Sequence, residues 1–365
     1  MIKKSATVPG IVSGKIRYLN LFSLPLLKFH STMYVTIKDI AEKLGLSKST
    51  VSRALSGDYL NVSQETVDRV VEAAARMGYK RNELAVNLRK RKSMAVGILV
   101  PELQTAFYSR FIAEAQSLLQ KNGYRTIIAL SNEDTTWEKS SFGLLSDYRV
   151  DGILISVCHN RANIEDYSDL NGKQIPLVFF DRTIEDLPCS SVRSDEQKAV
   201  LSLMDHLIAR GRRRIVHMAG PDYIRNASDR YVAYQSVLAQ HGLAFDPDLV
   251  VKAGLYRPDG FREISSLLRS GLFFDAVVCF NEMQALGCIE ALQAAGIRVP
   301  EDVSVASMYG TEVSSLVHPS ITSIEKSVLR MAEEAVRLIL RQIANPMAPP
   351  SEVVIPSDVV IRESS

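Results

Sequence analysis

The 365-residue chain is 46% hydrophobic and 23% charged, the composition of a globular protein with apolar material for two or three folded units. Its formal net charge of +2 conceals an asymmetry, because residues 33–93 carry 12 Lys and Arg against 7 Asp and Glu while residues 94–365 carry 26 against 34. No apolar run reaches the ~18 to 20 residues of a spanning helix, which excludes an integral membrane protein, and Cys158, Cys189, Cys279 and Cys288 lack the paired spacing of a zinc site or a disulfide scaffold. No metal and a reducing cytoplasm are therefore expected.

Residues 1–32 hold Lys3, Lys4, Lys15, Arg17 and Lys28 with no acid, and an apolar patch from Leu19 to Leu27 broken by Asn20, Ser23 and Pro25. No small-residue cleavage site follows the patch, which argues against a signal peptide, and a disordered extension is expected.

Residues 33–79 read as a small helical domain. Thr36 can cap a first helix with Asp39 as its reciprocal partner, and Ile37, Ile40, Ala41 and Leu44 share one face. Gly45 allows a bend. Ser47 then caps a second helix that turns Val51, Ala54 and Leu55 inward and leaves Lys48, Ser49, Ser52 and Arg53 outward. The pattern is a helix-turn-helix, whose second helix lies in a DNA major groove. Ser63 caps a third helix with Val67, Val70, Val71, Ala74 and Met77 at helical spacing until Gly78. The run from Tyr79 through Leu88 and the basic Arg89-Lys90-Arg91-Lys92 are too short and polar to fold alone, so residues 80–93 read as a linker with conditional helix.

From residue 94 short apolar strands alternate with helical stretches: Ala95 to Val100, Thr126 to Ala129, Gly152 to Ser156, Leu177 to Phe180, Ile215 to Met218, Ala276 to Cys279 and Val303 to Ala306. This βαβ rhythm predicts parallel sheets with helices on both faces, and about 270 residues are too many for one small sheet.

The run Ala41-Glu42-x-x-Gly45-x-Ser47-x-x-Thr50-Val51-Ser52-Arg53, the third helix ending in Gly78-Tyr79, and Asn82-x-x-Ala85-x-x-Leu88 resemble the lactose-repressor (LacI/GalR) family. The resemblance extends along the body through Val150-Asp151-Gly152, Pro176 to Arg182, Ala219-Gly220-Pro221 with Arg230, Gly296 to Val303, Pro319 to Ile324 and the ending Val360 to Ser364. It implies a small all-α helix-turn-helix domain followed by an α/β, two-lobed, periplasmic-binding-protein-like domain of doubly wound parallel sheets. Lobe one would take about 94–193 and 326–351, and lobe two about 194–325 and 352–365. In relatives the helix-turn-helix begins near the start, where Met33 stands here, so residues 1–32 are also a candidate artefact of start-codon choice.

The implied function is a sequence-specific transcription regulator, a repressor, acting as a homodimer on a near-palindromic double-stranded operator. Lys48, Ser49 and Arg53 are placed to read bases, since Arg and Lys donate to guanine acceptors. Thr36, Ser47, Thr50 and Ser52 suit capping or phosphate contact. Asn82, Ala85, Leu88 and Arg89 match a minor-groove hinge helix with Leu88 as its wedge, although Arg81 replaces the usual proline. A small-molecule effector, by resemblance a carbohydrate, is assigned to Arg230, Asp181, Asn281 and Glu282 with Phe107 and Tyr108 as an apolar wall. Tyr309 stands where the family has a cleft carboxylate, Glu282 where many relatives have Asp, and Ala233 where glycine is usual.

Phosphate-loop, hydrolase-elbow and zinc-protease motifs are absent, so no catalytic residue and no cofactor is expected. Cys158 and His159 are adjacent at a strand end and point to opposite faces. Arg212, Arg213 and Arg214 suit a solvated corner better than a nucleic-acid patch. A plain ligand-binding protein is disfavoured by the amino-terminal helices, and a nucleobase or a partner protein stays open as the effector.

Overall fold

Thr36 opens the first helix by accepting a hydrogen bond at Oγ1 from the Asp39 amide, while the Asp39 carboxylate accepts the Thr36 amide at 2.7 Å. These reciprocal bonds satisfy amides that a helix start otherwise leaves open. In the computed structural model, which describes residues 35–57, 61–80, 92–172, 175–185 and 187–365, this helix is α1 (Ile37–Leu44). Gly45 ends it at φ 64°, a left-handed backbone that suits glycine. Ser47 caps α2 (Lys48–Ser56) and Ser63 caps α3 (Gln64–Met77), each through an amide three residues on.

The three helices close on Ile40, Ala41, Val51, Ala54, Val67, Val70, Ala73 and Ala74. One expectation needs correction: Val71 is 50% exposed, and Ala73 takes the inward place. At 3.6 residues per turn, positions 67, 70, 74 and 77 centre the buried stripe, and position 71 lies on its solvent flank. The linker expectation for residues 81–91, with Asn82, Ala85, Leu88 and Arg89, falls outside the described residues, as does residues 1–34 with the extension and Met33.

The larger unit contains two six-stranded sheets. In chain order its elements are β1 (Ala95–Val100), α4 (Ala106–Lys121), β2 (Arg125–Leu130), α5 (Thr135–Asp147), β3 (Gly152–Ile155), α6 (Ile164–Gly172), β4 (Leu177–Phe180) and β5 (Ser190–Ser194). Then follow α7 (Glu196–Ala209), β6 (Ile215–Ala219), α8 (Arg225–Gln240), β7 (Val250–Lys252), α9 (Arg257–Ser270), β8 (Ala276–Cys279), α10 (Glu282–Ala294) and β9 (Ser304–Gly310). The chain ends with α11 (Val313–Leu316), β10 (Thr322–Lys326), α12 (Val328–Ala344), β11 (Glu352–Ile355) and β12 (Ser357–Val360).

The first sheet runs β11-β5-β4-β3-β1-β2 and the second β12-β10-β9-β8-β6-β7. All pairings are parallel except β10 with β12, which is antiparallel. Helices α4 and α12 cover one face of the first sheet, and α5 and α6 the other. The second sheet lies between α7 with α8 and α9 with α10. Coverage on both faces explains why the central strands β1, β3, β4, β6 and β8 are buried at every residue and, apart from His217 in β6, read as apolar runs.

The chain passes between the sheets after β5, after β10 and between β11 and β12. The last passage corrects a boundary expected from the sequence, which assigned 352–365 to lobe two. Glu352–Ile355 instead pairs parallel with Ser191–Ser194 in the first sheet, with Ile355 in that lobe's core. Only a single residue, Pro356, separates strands of two different sheets, and no break in composition marks the switch.

Candidate functional site

Helix α2 separates its faces sharply. Val51 and Ala54 are buried against α1 and α3, while Lys48, Ser49 and Arg53 are exposed and Ser52 is half-buried. Ser49 and Arg53 are four residues apart, as are Lys48 and Ser52, so the four side chains share one surface. The Ser47 hydroxyl is engaged with Ser49 Oγ at 2.7 Å, Thr50 Oγ1 at 2.8 Å and the Thr50 amide at 3.1 Å. Thr36 Oγ1 donates to Asp39 at 2.7 Å. Ser47 and Thr36 thus hold helix starts, whereas the long side chains of Lys48 and Arg53 project from the turn they hold.

The second candidate site is a cavity of about 570 Å³, counted to its open mouth, at the carboxyl ends of the strands of both sheets, where open α/β sheets place their ligands. From the first lobe come Phe107 and Tyr108 at the start of α4, Glu133 after β2, and Asp181 and Arg182 after β4. The second lobe supplies Asn226 and Arg230 from α8, Tyr256 after β7, Asn281 after β8, Tyr309 at the end of β9 and Lys326 at the end of β10. Thus Phe107, Tyr108, Asp181, Arg230, Asn281 and Tyr309, all named from the sequence, meet in one place.

Glu282 does not join them. Its buried carboxylate accepts from the Thr311 amide at 2.7 Å, the Thr311 hydroxyl at 2.6 Å and Ser314 Oγ at 2.7 Å, so it anchors the turn after β9 instead of lining the cavity. Asn281 next to it caps α10 through the Gln284 amide and donates to the Leu255 carbonyl at 2.9 Å.

Asp181 is at φ 56°, a left-handed backbone that few residues besides glycine, asparagine and aspartate adopt. Its carboxylate accepts from Tyr108 at 3.1 Å, Asn226 at 3.4 Å and Lys326 at 3.2 Å, and this convergence holds the turn. Burial pushes the Tyr108 phenol well above its ordinary range, so it serves as a hydroxyl donor. Tyr309 is likewise raised, first by burial and then by the charges of Asp181 and Glu282. Its ring meets Phe107 edge-on at 5.5 Å, and Lys326 Nζ lies 5.6 Å from the ring centre.

Arg230 is already occupied. Nε donates to Glu196 at 2.7 Å and Nη1 to the Phe280 carbonyl at 2.8 Å, with the guanidinium 4.5 Å from the Phe280 ring centre. Lys326 donates to the other oxygen of Glu196 at 2.7 Å. Burial would raise the Glu196 carboxyl, but the charges of Arg230 and Lys326 prevail and hold it at about 2. Next to Asp181, the buried Arg182 pairs in a two-pronged geometry with Glu133, at 2.9 and 3.0 Å.

Other contacts join the lobes beside the cavity. Arg225 bonds Thr183 at 3.1 Å and Glu185 at 2.7 Å, the Asn160 amide donates to the Tyr223 carbonyl at 2.9 Å, and the His159 ring stacks on Tyr223 at 5.1 Å.

The model for the lacI family of bacterial regulatory proteins matches residues 36–82, and that for the periplasmic binding protein-like domain matches residues 204–365. The ribose operon repressor of Bacillus subtilis (strain 168) is 32% identical over 305 residues, covering 84% of this chain and 90% of that protein. The chain belongs to the LacI family.

It is therefore a DNA-binding transcription regulator. A solved complex of the transcriptional regulator CelR with cellobiose is 26% identical, with a TM-score of 0.69, and covers 91% of this chain and 100% of that one. The lac repressor dimer bound to operator and an anti-inducer shares the fold, with a TM-score of 0.80 at 23% identity over 91% of this chain and 99% of that one. In this LacI-family chain the sequence leaves Glu196, Lys326, Asn226 and Glu133 unnamed, and gives Arg182 only as the end of a matching segment. Asn226 was within reach, being four residues before Arg230 on one helix face; Glu196 and Lys326 carry no such local signal.

Residues set aside as structural are well tied. Glu138 accepts the Cys158 amide at 2.6 Å and the Tyr167 hydroxyl at 2.5 Å, and burial pushes the Cys158 thiol far up, away from thiolate chemistry. Arg212 donates to Ser304 and to the Asp302 carbonyl, the Arg213 and Arg214 amides to Asp275, and the Arg214 guanidinium to Asp246. The arginine triplet is a corner braced by its own lobe. Among the described residues, no helix is long and apolar enough to cross a membrane and no metal-ligating cluster occurs.

Proposed function

We propose that the protein is a cytoplasmic, homodimeric repressor that binds a near-palindromic operator and is controlled by a sugar or sugar derivative held between its two lobes. The observation that carries this reading is the inter-lobe cavity with its converging hydrogen-bonding groups, on the same chain as an exposed recognition helix. Lys48, Ser49 and Arg53 read base edges, and Thr36, Ser47, Thr50 and Ser52 position the head on phosphates. Asn82, Ala85, Leu88 and Arg89 are assigned to the minor groove between half-sites. Phe107, Tyr108, Asp181, Asn226, Asn281 and Tyr309 face the effector. Arg230 acts chiefly as a braced wall of the cavity, since Glu196 and the Phe280 carbonyl already take two of its donors.

A bound effector changes operator affinity only by favouring one arrangement of the lobes, with coupling on the order of 1 to 3 kcal/mol. The inter-lobe contacts of Arg225 and Tyr223 are the bonds such a shift would remake.

The test is to sequence the genomic fragments retained by the purified protein. One short near-palindrome is expected, with Arg53→Ala weakening its binding by about 1 to 3 kcal/mol. Retention without sequence preference, or an unaltered palindrome in the variant, would overturn the reading of the head. Operator affinity unchanged by a ligand shown to occupy the cavity would overturn the control mechanism.

A further inference from the structure

We infer that the cavity selects uncharged ligands, and that Glu196 sets this selectivity by neutralising the two cations of the inner wall. This rests on the proposal that the cavity is the effector site, and it names the chemical class of the effector.

Each cation at the cavity has an internal anion: Arg182 has both oxygens of Glu133, Arg230 has Glu196, and Lys326 has Glu196 and Asp181. Glu102 adds a further carboxylate, which accepts from the amides of Gln104 and Thr105 and from the Thr105 hydroxyl. Three cations therefore face four carboxylates, leaving a small negative excess around a buried space. A phosphate or carboxylate entering there would lose its hydration and find no unpaired cation to replace it, a penalty that buried charges seldom recover.

An uncharged polyol meets a different surface. The rings of Phe107, Tyr309 and Phe280 provide apolar faces, and Asn226, Asn281 and Asp181 provide hydrogen-bonding groups at the edge. Without Glu196 the guanidinium of Arg230 would lose its only carboxylate while Lys326 kept Asp181, so one cation of the wall would be open to an anion. The side chain is only 5% exposed, so it acts through the two cations it holds.

The full-length protein tests this by thermal midpoint at fixed ionic strength, with matched pairs of probes: glucose and glucose 6-phosphate, ribose and ribose 5-phosphate, galactose and galacturonate. In the wild type no anionic member should raise the midpoint above its neutral counterpart, and one that does overturns the inference. Inorganic phosphate should leave the wild type unmoved but stabilise Glu196→Gln, with a gain in phosphate affinity of roughly tenfold or more for one uncovered charge. Glutamine keeps the side-chain volume and one acceptor. The double variant Glu196→Gln, Arg230→Gln should lose that gain, which places the phosphate in the cavity. A folded Glu196→Gln with no gain overturns the inference; if that variant does not fold, the wild-type pairs decide. A neutral sugar that binds the wild type without altering operator affinity would defeat the regulatory reading and leave the charge selectivity standing.

Discussion

In the head, Thr36 bonds Asp39, Ser47 bonds Thr50 and Ser63 bonds Thr66, each across three residues. In the cavity, Lys326 reaches Glu196 across 130 residues and Asp181 across 145, and Tyr108 reaches Asp181 across 73. The head is assembled from local instructions closed by a small apolar core, whereas the cavity exists only once two sheets have formed and the chain has passed between them. The two regions also treat charge differently. The head leaves Lys48 and Arg53 exposed to solvent; the cavity buries Arg230 and Lys326 with an anion of their own.

That contrast can be broken most forcefully at Glu196. Glu196→Ala leaves two buried cations short of a partner and should destabilise the body by about 3 to 5 kcal/mol. Hydrogen exchange would show protection lost in β9, β10 and α8, with the amides of α1 to α3 unchanged. Equal loss in both regions would show that the head depends on the body for its own order.

A smaller effect sharpens the comparison through pH. His217 is buried in β6, stacked on Tyr234 at 4.8 Å, and neither ring nitrogen has a hydrogen-bond partner among the described residues. Burial, and then the charge of Arg230, lowers it to about 3. Because the folded value lies below the ordinary ~6.5, the unfolded chain takes up the proton first as pH falls. The stability this neutral ring permits is therefore complete above about pH 6.5 and lost progressively toward pH 3, at up to about 1.4 kcal/mol per pH unit. Unfolding free energies from denaturant titrations at pH 7 and pH 5 should differ by about 1 to 2 kcal/mol more in the wild type than in His217→Phe. Glu196, held at about 2, would add its own loss only as pH falls below the ordinary carboxylate value of ~4.5, so it stays outside the interval from pH 7 to pH 5. Parallel profiles for wild type and variant would remove His217 from the account.

The smallest effect belongs to the head. Thr36→Ala removes one half of the reciprocal cap and should cost about 1 kcal/mol, read as faster exchange confined to α1. Ligand binding in the body should not change, and a change would contradict the local character of the cap.

The residues explain why one region was more legible than the other. Thr36, Ser47 and Ser63 as caps, and Gly45 and Gly78 as stops, follow from chemistry within three or four positions. The parallel strands were equally plain, because burial on both faces leaves apolar runs such as Ala95–Val100 and Leu177–Phe180. Val71 misled because an apolar residue one step outside the buried stripe has the same composition as one within it. Among the cavity residues, Phe107, Tyr108, Asp181, Arg230, Asn281 and Tyr309 were found through resemblance to a family. Glu282 was misassigned for the same reason: the position matched, but Thr311 and Ser314 claim its carboxylate.

By itself the sequence determined the three capped helices, the outward face of Lys48, Ser49 and Arg53, and the alternation that builds two doubly wound lobes. These rest on side-chain periodicity and short-range hydrogen bonds, which need only the order of residues. The tertiary structure decided that β11 belongs to the first sheet, that Asp181 occupies a left-handed turn, and that Arg230 and Lys326 share Glu196. Such pairings depend on which strand ends are brought together after the chain has crossed between sheets. A buried charge takes its partner from three-dimensional proximity, and the sequence around Glu196 or Lys326 holds no local trace of it.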